Sequence, residues 1–325
     1  MSLLYAARER RRPNVRYVRV DPQRSLSANQ SLVRLRYRFN DAQLDWITEK
    51  LAPMLGDDLL EPWAISKRLQ VVVGDTLGCS QKTVSNIVAR VIEALNNPDI
   101  VRRFIVFKPQ CPEWCRRRAN EFARIGKFSN VVGCIDGTLI PIHTPSVDGF
   151  QYMSRKGYSC LNVCIISDAV GRILYVNASF PGSVHDSYVW NNCAAGEAFR
   201  SGGAVEGYQL LGDCGYANGG GIMTPFRPSS IRNDHRKRRY NREHCRIRST
   251  VETTICRLKR RFCILNELRL SPDAAVKAII ACAVLHNMSF CINAANMRVL
   301  GRRRALMLHP PGDVADIRSY VMESL

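Results

Sequence analysis

The chain lacks most of the signatures that would place it quickly. It has no Cys-x-x-Cys pair, no internal repeat and no long uninterrupted apolar run. Its 13 cysteines are odd in number and scattered. Cys111 and Cys115 lie four apart and His244 adjoins Cys245, but neither has a second pair at finger-like spacing. That argues against a zinc finger and against a disulfide framework, and favours reduced thiols in a cytosolic or nuclear protein. The apolar stretch Ala278–Leu285 is broken by His286-Asn287 and reads as too short to span a bilayer. The opening MSLLYAARERRR has too little apolar length for a secretory signal, although its arginines weakly mimic a transit peptide. The expectation is a soluble protein with no membrane contact. Negative charge is also scarce: 28 Asp and Glu stand against 47 Lys and Arg, a formal charge of +19. Such an excess favours an acidic partner, most commonly nucleic acid. A basic, well-solvated surface without a partner would give the same count.

Against this scarcity, four acids stand out by position: Asp136 in VVGCIDGT, Asp186 in FPGSVHD, Asp213 in LLGDCGY and Glu252 in RSTVETTICRLKRRF. Each falls at the end of a predicted element or on a predicted helix. The first, residues 1–38, is an Arg-studded arm. Residues 39–110 read as a small helical region. Asp41 can cap a helix in which Leu44, Ile47, Leu51 and Leu55 recur at helical spacing. Leu69–Leu77, the turn Gly78-Cys79 and a second helix capped by Ser80, with Val84, Ile87, Val88 and Val91 on one face, follow a helix-turn-helix pattern. In that reading Gln81, Lys82, Thr83 and Ser85 face a DNA major groove. Two packed helices without a DNA role give the same pattern.

Residues 125–295 read as an α/β domain. Val131–Ile142, Tyr158–Ser167 and Arg172–Phe180 are strand-like, the last two joined by the short connection Asp168–Gly171. Ser183 would cap a helix through Asp186, and Gly207–Gly212 gives another strand. Residues 214–243 read as a Gly-rich and then basic insertion. A helix bearing Ile247, Val251, Ile255, Leu258 and Phe262 follows, then an apolar helix Asp273–Asn293; residues 296–325 form a tail. Three strands, a helix, a strand and a later helix, with acids at the first and fourth strand ends, is the order of an RNase H-like nuclease core: a mixed sheet flanked by helices.

Adjacent strand ends can bring Asp136 and Asp213 together, and Glu252 beside Val251 can lean towards them. Such a set suits two hard divalent cations, Mg²⁺ or Mn²⁺, cutting a phosphodiester. Without cations the clustered carboxylates would repel and raise at least one pKa. Each acid also has a structural reading. Asp136-Gly137 and Gly212-Asp213 fit ordinary turns, Asp186 fits the acid of a capping box begun by Ser183, and Glu252 fits a solvated helix position. His185 is a general base, a metal neighbour or a turn-stabilising residue. From Arg227 to Arg261 cations crowd the chain, and Arg236, Lys237, Arg238, Arg239, Lys259 and Arg260 are the candidate phosphate contacts. Arg236–Arg239 and Arg257–Arg261 also read as nuclear-import patches.

Taken together, RYRF (36–39), VVGDTLGCSQKTVS, GCIDGT, RKGYSCLN, FPGSVHD, LLGDCGY, MTPF, the Val251-Glu252 pair and LHN (285–287) resemble the harbinger transposase-derived nucleases, relatives of the PIF/Harbinger transposases of the DDE superfamily. The resemblance implies a catalytic triad at Asp136, Asp213 and Glu252, with Asp186 joining the metal site. It also implies a separate Myb/SANT-like partner that supplies DNA recognition and helps nuclear entry. Homo-oligomerisation is compatible with it, and so is residence in the nucleus and cytoplasm. The chain departs from the family in a short link between Leu55 and Val71 and in the loose Asn218–Gly221 run. The leading expectation is a metal-dependent DNA endonuclease. The rivals are a domesticated nuclear DNA-binding factor without nuclease activity and a degenerate transposon copy.

Overall fold

The computed structural model describes Phe39, residues 41–55 and residues 81–296. The basic arm 1–38, the segment Leu69–Leu77, the Gly78-Cys79 turn, Ser80 and nearly all of the tail therefore lie outside the described residues. Two compact units divide the chain, 1–91 and 92–325.

In the first unit, helix α1 (Asp41–Leu55) carries the expected stripe, with Leu44, Ile47, Leu51 and Leu55 all buried. Helix α2 (Gln81–Leu95) begins in this unit and ends in the next. Its buried residues are Ile87, Val91, Ala94 and Leu95, whereas Val88 is exposed. The stripe thus runs 87, 91, 94, 95 at helical spacing, and Val88 falls outside it. Lys82 and Thr83 lie on this helix, but their side chains are outside the described residues.

The second unit is a mixed α/β layer structure around a five-stranded sheet of order β3-β2-β1-β4-β5. Strands β1 (Val131–Pro141), β2 (Cys160–Ser167) and β3 (Ile173–Pro181) are antiparallel neighbours. The short strands β4 (Gln209–Leu211) and β5 (Ile222–Met223) run parallel to β1. Strand β2 is buried along its whole length and alternates cleanly. Leu161, Val163 and Ile165 enter the cluster that contains Ile247, Val251 and Ile279, while Cys164 and Ile166 enter the one with Trp114 and Trp190. Helices α3 (Pro98–Phe104), α4 (Pro112–Ala123), α5 (Asp186–Asn191) and α6 (Ala194–Arg200) complete the layers with α7 (His235–Arg261) and α8 (Pro272–Asn296).

The basic segment 214–243 is not one irregular insertion. It contains β5, a 3-10 turn at Pro228–Ser230 and the first two turns of α7. Asp234 caps that helix by accepting from the N–H groups of Arg236 and Lys237. Tyr240 and His244 extend the buried stripe of Ile247, Val251, Thr254, Ile255 and Leu258 backwards at helical spacing. The density of charge hides this periodicity in the sequence.

Helix α8 is long and apolar enough to cross a membrane by composition, but two-thirds of that stretch is buried within the protein. Its polar interruption is structural. The Asn287 amide donates to the carbonyls of Phe104 (2.7 Å) and Ile173 (2.6 Å) and accepts from the Ile173 N–H (2.8 Å). It thereby satisfies backbone groups of an edge strand that the sheet leaves open. Every described cysteine is a free thiol.

Candidate functional site

The sheet register brings the first two acids together. Cys134 of β1 is the parallel partner of Leu211 of β4, and Asp136 and Asp213 each follow two residues later. Asp136 is half-buried, its Oδ1 accepting from the Gly137 N–H at 3.0 Å. Asp213 Oδ1 accepts from the Gly215 N–H at 2.9 Å, which turns the chain back after β4.

Asp186 joins them from the other side. Helix α5 begins at Asp186 with His185 at the N-cap and no side-chain cap. Ser183 therefore does not cap the helix, and its N–H instead donates to the Gln151 carbonyl. The capping-box reading of Asp186 fails on this geometry. Its carboxylate is held by Asn162, whose Nδ2 donates to Asp186 Oδ1 (2.7 Å) and to the Val184 carbonyl (2.8 Å). Position 137 must be glycine for this approach, since a Cβ there would meet Asp186 Oδ1 at 2.2 Å.

Burial pushes the Asp136 carboxyl up to about 6; Arg248 opposes this, while the charges of Asp213 and Asp186 push it further and the Gly137 N–H opposes them. Tyr216, packed below, is raised well above its ordinary value by burial, with the nearby Cys164, Asp186, Asp136 and Asp213 adding to the effect. Three aspartates thus share one electrostatic neighbourhood.

Glu252 stands differently. It is about half exposed on α7 and pairs with Arg248 one turn earlier, Nη2 to Oε1 at 2.5 Å. The same guanidinium lies 3.7 Å from Asp136 Oδ2. Burial works against the Arg248 charge, but Glu252, Asp136 and Asp213 outweigh it and hold the proton more firmly than usual. Arg248 thus puts a positive charge between Asp136 and Glu252; the i, i+4 spacing makes the Glu252 contact readable from the sequence. Among the described residues no group of three or more His, Cys, Asp or Glu side chains is arranged to share a metal ion as it stands. The donor chemistry nevertheless fits a hard divalent cation: Asp136, Asp186 and Asp213 offer carboxylate oxygens, and the like charges that add to the effect of burial on Asp136 are what a cation relieves.

The candidate DNA contacts separate along α7. Arg236, Arg238 and Arg239 are exposed near its N-terminus, where Lys237 lies over the Phe226 ring and Arg238 donates to the carbonyls of Ile231 and Arg232. Residues 237 and 259 are about 33 Å apart along the helix at 1.5 Å per residue. Arg260 is exposed, but Lys259 is half-buried and its Nζ donates to the Leu139 carbonyl at 2.9 Å. Burial lowers the Lys259 pKa, and the neighbouring Lys156 charge adds to this. The candidate phosphate contacts on α7 therefore form two clusters, one towards each end of the helix. Two residues of the site carried no weight in the sequence reading: Asn162, which positions Asp186, and Gly137, which admits it.

Residues 135–287 match the family described as DDE superfamily endonuclease. The chain is similar to a rat protein named "Putative nuclease HARBI1", with 32% identity over 69% of this chain and 63% of the relative. The Xenopus laevis protein of the same name is 27% identical over 78% of this chain and 76% of its own length. An Arabidopsis thaliana protein, "Protein ALP1-like", is 25% identical over 67% of this chain and 55% of its own length. The chain thus spans about 63% of the length of its mammalian relatives. No solved structure matches.

Proposed function

Because the chain belongs to the harbinger transposase-derived branch of the DDE superfamily of endonucleases, we propose that it is a divalent-metal-dependent DNA endonuclease. The sheet, with its antiparallel β1–β3 and parallel β4 and β5, supports an RNase H-like core. The observation that carries the reading is the meeting of Asp136 and Asp213 on register-matched strands with Asp186 against Gly137.

Asp136, Asp186 and Asp213, with Glu252 from α7, would hold Mg²⁺ or Mn²⁺, which supplies an activated water and neutralises charge on a phosphodiester. Asn162 fixes Asp186 through one carboxylate oxygen and leaves the other free. The Gly137 and Gly215 N–H groups orient Asp136 and Asp213 in the same one-oxygen fashion. Arg248 holds Asp136 and Glu252 by charge when no cation does. Arg236, Arg239 and Arg260 grip the phosphate backbone, so binding weakens steeply with salt. Nuclear residence and a Myb/SANT-like protein partner belong to the same proposal. Incubating the purified chain with supercoiled DNA and Mg²⁺ or Mn²⁺ tests it: nicking that is lost in Asp213→Asn is the expected result, and equal nicking by both proteins removes the assignment.

The Arg248 bridge favours a second reading, a DNA-binding factor whose acids are neutralised internally. DNA binding without metal, together with no nicking in any cation, would select it.

A further inference from the structure

Beside Asp186 lies a cleft of about 240 Å³ lined by Gly137, Leu139, Ser183, His185 and Asp186. Arg155 and Lys156 also line it, both exposed and in no ion pair among the described residues. These two cations sit at the tip of a tightly held turn. Ser154 is buried; its N–H and hydroxyl both donate to the Tyr158 carbonyl, and its hydroxyl accepts from the Lys156 N–H. Gly157 closes the turn at φ 79°, in the left-handed region that glycine tolerates. The charges are thus presented by a fixed backbone.

Next to these cations stands unused apolar surface. The 3-10 turn Gly149–Tyr152 is tied to the cleft lining by the Ser183 N–H donating to the Gln151 carbonyl. Phe150 on that turn is 75% exposed and Met153 just after it 43%. Bases inside a duplex are already stacked on both faces, so an exposed ring beside free cations suits a nucleotide that has left its stack.

We propose that this cleft holds one unpaired nucleotide of the DNA strand adjoining the acids, with its phosphate on Arg155 and Lys156 and its base against Phe150. The inference rests on the reading of the acids as a DNA-cleaving site and adds the form of DNA that the site takes: a strand distorted or unpaired next to the scissile bond. The Asp186 carboxylate that also lines the cleft repels phosphate, which favours seating the phosphate on Arg155 and Lys156.

The test is metal-free binding of the full chain to two duplexes of equal length, one fully paired and one with a single bulged 2-aminopurine. Wild type should bind the bulged duplex more tightly and change the probe's fluorescence. Phe150→Ala should lose about 5- to 150-fold of that preference, the range of a lost base–aromatic stack. The double variant Arg155→Ala, Lys156→Ala should weaken the bulged complex and lower its salt dependence. The substituted side chains are exposed, so unchanged thermal unfolding is the control. Equal affinity for both duplexes, or a preference that survives Phe150→Ala, overturns the proposal. A chain that cuts DNA without the preference overturns only the cleft; one that shows the preference and never cuts overturns only the cleavage reading.

Discussion

Two aspartates of the same sheet, one within β1 and one just beyond β2, have opposite fates. Asp168, at the turn between β2 and β3, is completely buried and fully used: its Oδ1 accepts from the N–H groups of Val170 and Arg172, and its Oδ2 from Arg172 Nε and Arg118 Nη1. Glu121 completes the network by pairing with Arg118 at 2.8 Å. Asp136 is open to solvent on one side and faces two like charges, with one guanidinium at 3.7 Å. A buried acid whose lone pairs are all taken serves folding. A partly buried acid with like charges beside it is where the proposed cation would be held.

The sharpest way to break this comparison is activity. Asp136→Asn, Asp186→Asn and Asp213→Asn should each reduce Mg²⁺-dependent nicking by more than the ~100-fold typical of losing an outer-shell partner of a metal ligand. Asn162→Ala, which only frees Asp186, should fall within about 10- to 100-fold. Asp168→Asn should leave nicking by the folded fraction unchanged. Single-turnover nicking rates at saturating metal distinguish the three classes, and a loss at Asp168 equal to that at Asp213 would erase the contrast.

Stability should rank them the other way. Asp168→Ala deprives the buried Arg118 of one of its two carboxylates and should cost about 3–5 kcal/mol, as breaking a buried ion pair does. Thermal or denaturant unfolding reads this directly, and a loss below 1 kcal/mol would show the network to be idle.

The same region predicts an acid weakness. His286 is buried, with Nε2 against the Gly171 carbonyl at 2.9 Å, and burial lowers its pKa to about 4, helped by Arg261 and Arg257. The facing groups also include Asp168, which opposes the shift. The unfolded chain therefore binds this proton from about pH 6.5 downward while the folded one resists it to about pH 4. Stability is complete above the upper value and is lost as pH falls through the window, by about 3 kcal/mol at 1.36 kcal/mol per pKa unit. His286→Asn should flatten that slope in urea unfolding measured from pH 7 to pH 4.

Much of this was legible in the sequence, and the gaps have physical causes. Asp136 and Asp213 could be paired because each follows a β-branched or apolar run, but the expected strand end at Asp136 was wrong: β1 continues to Pro141, and only its pairing with β4 stops before the acid. Helix α8 was legible as a core helix because apolar residues cover most of its sides. The role of Asn287 was not, because one amide clamping three backbone groups leaves no periodic trace. Ser183 and Asp186 at capping-box spacing gave a false helix start, since the segment is instead fixed by Gln151 and Asn162 from other elements. The first turns of α7 were hidden because Arg236–Arg239 swamp the stripe that Tyr240 and His244 begin. Long-range partners such as Asn162 for Asp186, 24 positions apart, have no local signature.

The smallest effect has the most diagnostic sign. Folding raises the Asp136 carboxyl from 3.8 to about 6, so the folded chain takes up a proton that the unfolded chain does not between those values. A raised acid contributes stability at low pH that is lost as pH rises through the window. At pH 7 the ionised group is a burden, and Asp136→Asn should remove it at the expense of the Arg248 contact. The net gain should be about 1–2 kcal/mol, since one pKa unit is worth 1.36 kcal/mol and the partner's loss takes back part. That is about 2–8 °C in melting temperature for a domain of this size, read in chelator at pH 7 and vanishing near pH 4. Adding Mn²⁺ should reverse the order, because wild type then gains a ligand that the variant binds less well. A variant that is more stable bare, less stable with metal and unable to nick would separate a site kept for chemistry from one kept for the fold. If Asp136→Asn destabilises the metal-free chain as Asp168→Ala does, the two aspartates serve the same end and the contrast between them fails.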